Sequence, residues 1–315
     1  MAILITGGTG FLGSYLTRRL LKEGYQDIVI LDLSPNPANL QDAADKVTLL
    51  EGDSSEAIEL FKVVTKYKVT DIFHLAYMMS RAAEQSPALA IRVNCLGVSN
   101  VFEVALLCGV RRVMWPSSGA VYGHYLTTYK DSDEPLTMEH LPLAESMYGS
   151  TKYFNERTAE LFAKKGGDHI ALRLPNIYGL GRGHRPAVGK DVHSQLIEVP
   201  ASGKPFVAPP AEQRFAWTYV EDVASAFLCT LRAPKPSVRI FNVSGEVRTT
   251  AETVNYLKSL IPGAQIEFGR EPARRLPIVD GTPIKAHLGF EPRFSMEEGI
   301  KDYLARMKAS GMKVG

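Results

Sequence analysis

Short apolar runs alternate with amphipathic stretches along the first 175 residues. The runs are nearly continuous rather than alternating, which is typical of strands that are covered on both faces of a parallel sheet. Between them, apolar residues recur every three or four positions, as on one face of a helix. This order predicts βαβ units and an α/β fold with a Rossmann-type, doubly wound parallel sheet. The predicted strands are 2–6, 26–32, 47–50, 71–76, 112–117 and 169–174, and the predicted helices are 11–22, 55–67, 88–108 and 148–165.

The pattern changes after residue 175, where Gly, Pro, His and Arg become frequent. A change of rhythm at this length is typical of a second, smaller unit. We expect a Rossmann domain over residues 1–175 and mainly a smaller mixed α/β C-terminal substrate lobe over residues 176–315, with later segments returning to the first domain. Helical spacing resumes at 223–231, 250–260 and 296–307.

Charge and composition narrow the range of partners and compartments. The 36 basic and 34 acidic side chains nearly balance, and no basic run is present, so nucleic acid is not an expected partner. The first apolar run has no basic leader and breaks at two glycines, and no stretch approaches the roughly 20 apolar residues of a membrane helix. We therefore expect a cytoplasmic protein that has no membrane partner.

The cysteines point to no disulfide framework. Cys95, Cys108 and Cys229 are widely separated, odd in number and without a CxxC pair. Such spacing predicts neither disulfides nor a zinc site. Free thiols in a reducing compartment are the expectation.

Three glycines lie where the first predicted strand gives way to the first predicted helix. Gly7, Gly10 and Gly13 form GxxGxxG within TGGTGFLG. Glycine lets the backbone approach a ligand closely, and a helix N-terminus offers N–H groups to a pyrophosphate. Because a strand precedes the glycines and a helix follows them, the pattern predicts a dinucleotide-binding turn.

An acidic residue completes this pattern. Asp32 ends the second predicted strand, 19 residues beyond Gly13. A carboxylate at such a position accepts hydrogen bonds from the adenosine ribose and repels a 2′-phosphate, so NAD is favoured over NADP. The alternative role of Asp32 is a helix or turn cap. Asp53, at the end of the third strand, is predicted either to meet the adenine amino group or to serve as an ordinary turn residue.

A tyrosine and a lysine form YxxxK at the start of the helix predicted over 148–165. Four residues apart, Tyr148 and Lys152 share one helix face. A free tyrosine has a pKa of about 10, and a neighbouring ammonium stabilises its phenolate, which makes Tyr148 a usable base. Ser118 lies just beyond the fifth strand, whose carboxyl end lines the cofactor crevice, and is predicted to hydrogen-bond the reacting oxygen. Ser117 is the second choice for that role.

Several motifs together resemble those of the extended short-chain dehydrogenase/reductases, often called the NAD-dependent epimerase/dehydratase family. They are TGGTGFLG, HLA at 74–76, PSSGAVYG, YGSTK, RLPNIYG, Tyr-Val-Glu-Asp-Val and the late KAHLGFEPRFSMEEGI. The likeness covers nearly the whole chain, and the set is far more specific than any one of its members. It implies NAD as the cofactor and Ser118, Tyr148 and Lys152 as the catalytic triad.

The resemblance also implies binding roles. Lys152 would bind the nicotinamide ribose, and Asn94 would lie near the active site. Dimerisation of such proteins commonly pairs two long helices, here near 88–108 and 148–165, so a homodimer is expected. The residues implied along NAD are Gly7, Gly10, Phe11, Leu12, Gly13, Asp32, Asp53, Ser54, Leu75, Ala76, Tyr77, Asn94, Tyr148, Lys152 and Pro175.

Two small residues after Ser118 limit the reaction types that we expect. Family dehydratases carry an acidic pair here and decarboxylating relatives usually keep a Glu, whereas this chain has Gly119 and Ala120. Dehydration and decarboxylation are therefore not expected. What remains is epimerisation, in which hydride leaves a carbinol carbon and returns to the other face, or net dehydrogenation with release of a ketone. The intact triad disfavours a dinucleotide sensor without turnover.

The substrate side leaves two hypotheses open. Asn176 matches a position that often contacts the diphosphate of a nucleotide sugar, although it could equally cap a turn, and a nucleotide-sugar epimerase is the leading hypothesis. Such relatives carry Arg-Asp-aromatic before a Tyr-Val pair, where this chain has Phe215-Ala216-Trp217, with Arg214 one residue early. That departure favours the alternative, an NAD-dependent dehydrogenase of a small polar alcohol such as a sugar acid or an amino alcohol.

Further substrate contacts are predicted in the loops. Met79 either lines the site above the nicotinamide or packs in the core. Arg182, His184, Arg185 and His193 either bind a carboxylate or phosphate or form a solvated loop. The histidines lack the companions of a metal site, so no metal is expected. The predicted substrate residues are Met79, Ser118, Asn176, Arg182, Arg185 and Arg214.

Overall fold

Seven parallel strands form the central sheet of the computed structural model, which describes residues 1–128, 134–181, 191–273 and 277–315. These strands are β1 Ala2–Thr6, β2 Ile28–Asp32, β3 Thr48–Glu51, β4 Val69–His74, β5 Arg112–Ser118, β6 His169–Leu174 and β10 Ile240–Asn242. Their order across the sheet is β10-β6-β5-β4-β1-β2-β3. The predicted doubly wound parallel sheet is therefore confirmed.

The strand order reverses beside β1. The chain runs outward from β1 through β2 to β3, and then returns to β4 on the other side of β1. In open sheets of this kind, ligands bind at the carboxyl ends of the strands where the order reverses. The topology therefore puts the binding crevice at the ends of β1 and β4.

Helices cover both faces of the sheet. They are α1 Phe11–Lys22, α2 Ala57–Lys66, α3 Ser80–Gln85, α4 Pro87–Ala90, α5 Gly97–Leu107, α6 His124–Thr128, α7 Met147–Lys164, α8 Val192–Ala201, α9 Val220–Arg232, α10 Thr250–Leu260, α11 Thr282–Leu288 and α12 Met296–Ala309. Successive strand residues point to opposite faces, and Ile3 and Ile5 lie in one apolar core while Leu4 lies in the other. The first core contains α1 and α9, and the second contains α2, α5 and α7.

The predicted elements of the first 175 residues are present, with shifted ends. β4 ends at His74 rather than at residue 76, because the Ala76 N–H turns to the Thr6 hydroxyl, 3.3 Å away. Ser118 is the last residue of β5 rather than the first one beyond it, since it pairs with Leu174 of β6.

The helix predicted over 88–108 is not uniform. A π-helical turn, Ile91–Leu96, joins α4 to α5, and such turns are frequent at functional sites. By length and composition alone, the 21-residue run Pro87–Leu107 could cross a membrane, so the expectation that no stretch approaches that length is wrong here. Half of its most apolar stretch is buried inside the fold, and core helices pass the same test.

Segments after residue 175 build a smaller mixed part and also extend the first sheet. β10 pairs with β6, and α9 packs against α1. The other strands are β7 Ile177–Tyr178, β8 Phe206–Ala208, β9 Arg214–Tyr219, β11 Glu246–Thr249 and β12 Ile266–Phe268. They form two small sheets, ordered β11-β9-β7 and β12-β8. The hydrophobic period along the sequence predicted none of the five, and β7, β8 and β12, with two or three residues each, are too short to show one.

Candidate active site

A glycine-rich turn connects β1 to α1 at the crevice. Gly7 has a φ of +66°, in the left-handed region that favours glycine. A Cβ on Gly13 would lie 2.5 Å from the carbonyl oxygen of Gly7, so glycine lets the first turn of α1 pack on the loop. Gly10 caps the helix without a side-chain hydrogen bond, and the first turn, which holds Phe11 and Leu12, contains no acidic residue. The amino end of α1 is therefore suited to an anionic ligand.

Asp32 lies at the end of β2, beside this turn, and is 6% exposed. Its Oδ2 accepts hydrogen bonds from the Thr9 hydroxyl at 2.6 Å and from the Thr9 N–H at 3.2 Å. Its Oδ1 accepts from the Ser34 N–H at 3.3 Å, so Asp32 also stabilises the turn that follows β2. Because a carboxylate has about four lone-pair sites, these bonds leave capacity for a ribose hydroxyl.

Asp53 and Ser54 follow β3 in the turn that leads to α2. Oδ1 of Asp53 accepts from the Ser55 N–H at 2.8 Å and from the Ser55 hydroxyl at 2.7 Å. The Asp53 N–H in turn donates to Glu59 at 2.8 Å, and Ser54 is buried. These contacts correspond to the turn role that was the alternative for Asp53.

The segment after β4 closes against the glycine-rich turn. The Leu75 N–H donates to the Thr6 carbonyl oxygen at 3.1 Å. A Cβ on Gly7 would lie 3.0 Å from the Ala76 nitrogen, so the two segments are in direct contact. Leu75 is buried, and Pro175, directly after β6, is half-buried at the same edge of the sheet.

The start of α7 presents the predicted acid/base residue. The Ser146 hydroxyl caps the helix by accepting from the Gly149 N–H at 3.0 Å. The Tyr148 N–H donates to Glu84 of α3 at 3.2 Å, which adds a favourable negative charge at this helix terminus. Tyr148 is 7% exposed, and its ring packs in a small cluster with Ala83 and Ala90.

Ser118 lies at the carboxyl end of β5, next to the start of α7. Its hydroxyl accepts from the Ala120 N–H at 3.1 Å, which begins a short 3-10 turn, Gly119–Tyr122. A Cβ on Gly149 would lie 2.5 Å from the Ala120 carbonyl oxygen, so this turn packs directly on α7. The structure therefore brings Ser118 and the first turn of α7 to the same end of the sheet.

Lys152 lies one turn beyond Tyr148 and is 2% exposed. Its Nζ donates to the Pro116 carbonyl oxygen of β5 at 2.7 Å and lies 5.5 Å from the centroid of the Tyr148 ring. Burial lowers the pKa of Lys152 to about 7, because the charged form loses its hydration. Burial also lowers the pKa of His74 to about 3, and the charge of Lys152 adds to that effect.

Ser117 points away from the predicted site. It is 1% exposed, and its hydroxyl donates to Oε1 of Glu156 at 2.6 Å. Successive strand residues face opposite sides, so Ser117 and Ser118 differ in role. Ser117 therefore belongs to a buried polar network.

That network was missed by sequence reasoning. Glu156 accepts two 2.8 Å hydrogen bonds from Nε and Nη2 of Arg173, and Arg173 Nη1 donates to the Tyr122 hydroxyl at 2.7 Å. The Tyr122 hydroxyl donates to Asn242 of β10 at 2.8 Å. The network links α7, β5, β6 and β10 beneath the predicted triad. An arginine in a buried strand was the one available signal, since such a charge needs a partner.

Asn94 lies in the π-helical turn and is fully buried. Its Oδ1 accepts from the Met78 N–H at 2.7 Å, and its Nδ2 donates to the Met78 carbonyl oxygen at 3.1 Å. Nδ2 also lies 3.2 Å from the Thr151 hydroxyl of α7. Asn94 therefore connects the segment after β4 to α7, close to Lys152.

The predicted substrate residues are dispersed. Met79 is half-buried where α3 begins, Asn176 is exposed between β6 and β7, and Arg214 is exposed on β9. Arg182 and Arg185, together with His184, lie outside the described residues.

His193 is a core residue rather than part of an exposed basic loop. It is 1% exposed in α8, and its Nε2 lies 3.1 Å from the carbonyl oxygen of Ala216. Its ring stacks on Tyr178 and packs edge-on against Trp217 at 4.7 Å. Neither of the two alternatives, an anion-binding cluster or a solvated loop, describes His193, because it is buried among aromatic side chains.

The crevice residues fit NAD. Gly7 and Gly13 let the turn pack closely against the segment after β4 and against α1, because a Cβ at either position would collide with backbone. The amino end of α1 offers a partial positive charge to a pyrophosphate. The carboxylate of Asp32 lies at the end of the neighbouring strand, where an adenosine ribose is bound in such folds. Tyr148 and Lys152 lie on α7, next to the carboxyl end of β5.

Comparison with known proteins agrees with this geometry. The UDP-glucose 4-epimerase of Mycolicibacterium smegmatis is 28% identical over 95% of this chain and 96% of its own. The D-erythronate dehydrogenase of Cupriavidus necator is 30% identical over 96% of this chain and 98% of its own.

A solved structure extends the comparison to three dimensions. The UDP-glucose 4-epimerase of Thermotoga maritima with UDP-glucose superposes with a TM-score of 0.85 at 26% identity, covering 98% of this chain and 99% of that one. The model of the NAD dependent epimerase/dehydratase family matches residues 3–244. The chain therefore belongs to the NAD dependent epimerase/dehydratase family and is an NAD-dependent enzyme of the extended short-chain dehydrogenase/reductase type.

Proposed function

We propose that the protein oxidises a secondary alcohol of a sugar, with Tyr148 as the acid/base. The observation that carries this proposal is the buried Lys152 ammonium, 5.5 Å from the centroid of the Tyr148 ring at the carboxyl end of β5. NAD, when bound, supplies the acceptor for the hydride. Tyr148, as phenolate, removes the hydroxyl proton, and the charge of Lys152 stabilises that phenolate. Ser118 donates a hydrogen bond to the reacting oxygen and orients it.

The leading substrate class is a nucleotide sugar, and the leading reaction is epimerisation. Support comes from the nearly full-length likeness to the two UDP-glucose 4-epimerases. Gly119 and Ala120 offer no side chain for the extra proton transfers of dehydration. In this reaction, Tyr148 returns the proton after the keto compound has presented its other face.

A specific observation on β9 favours a second candidate, a dehydrogenase of a small polar alcohol. Phe215 occupies the place of the phosphate-binding Arg expected in nucleotide-sugar relatives, and its ring is buried, 5.5 Å from that of His193. Arg214 is exposed and, one residue earlier on the strand, lies on the other face, so it does not replace that Arg. The likeness to D-erythronate dehydrogenase adds support.

Two probes separate these candidates. Purified protein is incubated with NAD and either UDP-glucose or D-erythronate, while sugar products and NADH are followed separately. The epimerase hypothesis expects conversion of UDP-glucose to its C4 epimer without net NADH. The dehydrogenase hypothesis expects NADH in proportion to D-erythronate. If Tyr148→Phe lost one of these reactions, that reaction would be assigned to this site. Full retention of activity in Tyr148→Phe would reject the acid/base role of Tyr148.

We further propose a homodimer built on α4, α5 and α7, together with the π-helical turn that joins α4 to α5. Support comes from large apolar side chains that are exposed on these adjacent helical segments. Leu89 is 48% exposed, Leu96 52%, Leu107 78%, Phe154 48% and Leu161 58%. Clusters of this kind commonly mark interfaces between subunits.

We also propose that the protein works in the cytoplasm. We propose too that residues 176–315 form much of the substrate-binding side of the active site. Cys95, Cys108 and Cys229 are free thiols, which is typical of a reducing compartment. Small-molecule ligands are the expected partners, since the 36 basic and 34 acidic side chains nearly balance and the sequence has no basic run typical of nucleic-acid binding.

A further inference from the structure

The ammonium of Lys152 is buried against an aromatic ring. Its Nζ lies 3.6 Å from the centroid of the Tyr77 ring, and the Lys152 side chain is only 2% exposed. Moving an ammonium out of water is costly unless other groups replace its hydration. The Tyr77 ring and the carbonyl oxygen of Pro116, at 2.7 Å, are two groups that do so.

The acidic side chain next along the same helix is already paired. Glu156, one turn beyond Lys152, receives two 2.8 Å hydrogen bonds from Arg173 and one of 2.6 Å from Ser117. Among the residues that the structure describes, no ion pair joins Lys152 to a carboxylate. Besides the Pro116 carbonyl oxygen, the Tyr77 ring face is therefore an electron-rich surface offered directly to this ammonium.

Two other titratable groups face Lys152, and both are neutral near pH 7. His74, at the end of β4, has its pKa lowered to about 3 by burial and by the charge of Lys152. Cys95, in the π-helical turn, has its pKa raised to about 11 by burial, although Lys152 opposes that shift. Among the residues that the structure describes, Glu156 and Tyr148 on α7 and Tyr77 itself also lie around the ammonium.

The position of Tyr77 is fixed by its neighbour in the chain. Both backbone polar groups of Met78 are held by the buried Asn94 side chain, at 2.7 and 3.1 Å. Asn94 also contacts Thr151, the residue before Lys152, at 3.2 Å. One side chain thus connects the segment that carries the ring to the helix that carries the ammonium, so the two are held in register.

We propose that Tyr77 is a positioning residue of the active site, whose ring face holds the Lys152 ammonium charged beside Tyr148 where another site would use a carboxylate. The inference rests on the proposed roles of Tyr148 and Lys152. An aromatic face attracts a cation through its quadrupole, and more strongly when both are desolvated. The neutral amine gains little from the ring, so the contact favours the protonated form of Lys152.

The sign of the expected pH effect follows from this preference. Without the ring, Lys152 releases its proton at lower pH. Tyr148 then loses the adjacent positive charge, so turnover that depends on its phenolate declines at lower pH than in the unaltered protein. Burial already holds the pKa of Lys152 to about 7, which puts the effect within an accessible range.

The test compares Tyr77→Leu, which removes the ring, with Tyr77→Phe, which keeps the face and removes the hydroxyl. NAD-loaded protein labelled with ¹³C at the lysine ε carbon is titrated by NMR, and Lys152→Met identifies the Lys152 signal. We expect the midpoint to fall by about one pH unit in Tyr77→Leu and to stay within about 0.3 unit in Tyr77→Phe. The alkaline limb of turnover with UDP-glucose or D-erythronate should move with the midpoint.

An unchanged Lys152 midpoint in Tyr77→Leu would overturn the inference, as would equal shifts in both variants, because the hydroxyl would then be the cause. If turnover fell equally at every pH while the Lys152 midpoint did not move, the loss would be a packing effect and the inference would be rejected. If Tyr77→Leu does not fold, pentafluorophenylalanine at position 77 keeps the shape and removes the attraction, and the same fall is expected. If the Lys152 midpoint shifts but the unaltered protein turns over neither UDP-glucose nor D-erythronate, the Tyr77–Lys152 contact is supported and the proposed function is not.

Discussion

The Thr9 hydroxyl donates a 2.6 Å hydrogen bond to Oδ2 of Asp32, which connects the glycine-rich turn after β1 to the end of β2. The Thr9 N–H adds a second bond to the same oxygen at 3.2 Å. The carboxylate is thus oriented before any ligand arrives, and little ordering is left to the binding step. Its charge is presented where the adenosine ribose of a dinucleotide is bound.

Asp32→Ala should relax the preference for NAD over NADP. Removal of the carboxylate takes away both the acceptor for the ribose hydroxyls and the repulsion of a 2′-phosphate. We expect the ratio of the two dissociation constants to change by about tenfold or more, which corresponds to about 1.4 kcal/mol. Calorimetric titration with each cofactor measures the ratio. Asp27→Ala, an exposed carboxylate before β2, is the control, and an unchanged ratio in Asp32→Ala would show that Asp32 does not contact the ribose.

Tyr148→Phe should lower turnover by roughly 10²–10⁴-fold, the usual contribution of an acid/base group. The substitution keeps the ring that packs against Ala83 and Ala90, so NAD affinity and the unfolding midpoint should change little. Tyr153→Phe is a matched control, because Tyr153 lies on the same helix but packs beside Val121 and Leu136. If both variants lost the same activity, the phenol of Tyr148 would have no special role.

Lys152 should make stability depend on pH. Burial holds the pKa of Lys152 to about 7 in the folded protein, below its ordinary value of 10.5, so between these values the unfolded chain binds the extra proton. The free energy of unfolding then rises with pH over this window, by about 1.4 kcal/mol per pH unit for one proton. Lys152→Met should lack this rise. Urea unfolding of the NAD-free protein from pH 7 to 10 provides the measurement, and parallel curves for the two proteins would contradict the assignment.

Two ion pairs that α7 glutamates make, one with Arg173 of β6 and one within α7, should differ in energy despite similar distances. Glu156 and Arg173 lie 2.8 Å apart, with side chains 2% and 5% exposed, whereas Glu160 and Arg157 lie 2.6 Å apart on the surface. Glu156→Gln leaves a buried guanidinium uncompensated and should lower the free energy of unfolding by about 3–5 kcal/mol. Glu160→Gln should change it by at most about 1 kcal/mol, because solvent screens an exposed pair. Equal costs in urea unfolding would refute the distinction.

The proposed dimer predicts a change of mass in solution. Phe154→Asp or Leu161→Asp puts a charge among exposed apolar side chains of α7 and should shift the protein from dimer to monomer. Val207→Asp is the control, since Val207 is 66% exposed on β8, away from α5 and α7. Light scattering at several concentrations measures the mass. A monomer in the unaltered protein, or a dimer that both α7 variants retain, would reject this interface.

Part of the site could be predicted because its residues are coupled through local structure. Gly7 and Gly13 flank one strand-to-helix turn, and Tyr148 and Lys152 are four residues apart on one helix, so spacing alone puts each pair together. The parallel sheet follows from repeated short apolar runs, whose burial on both faces leaves a clear pattern. Local spacing ranked Ser118 above Ser117 but did not decide between them, since the choice depends on which strand face each one takes.

By itself, then, the sequence determined the doubly wound framework, the dinucleotide turn and the YxxxK helix, because each is encoded in the period and spacing of neighbouring residues. Only the tertiary structure decided that Glu156 pairs with Arg173, that β10 closes the sheet and that the Tyr77 ring covers the Lys152 ammonium. These contacts join residues from separate strands and helices. Their geometry depends on how the elements pack around one core, and no local period records it.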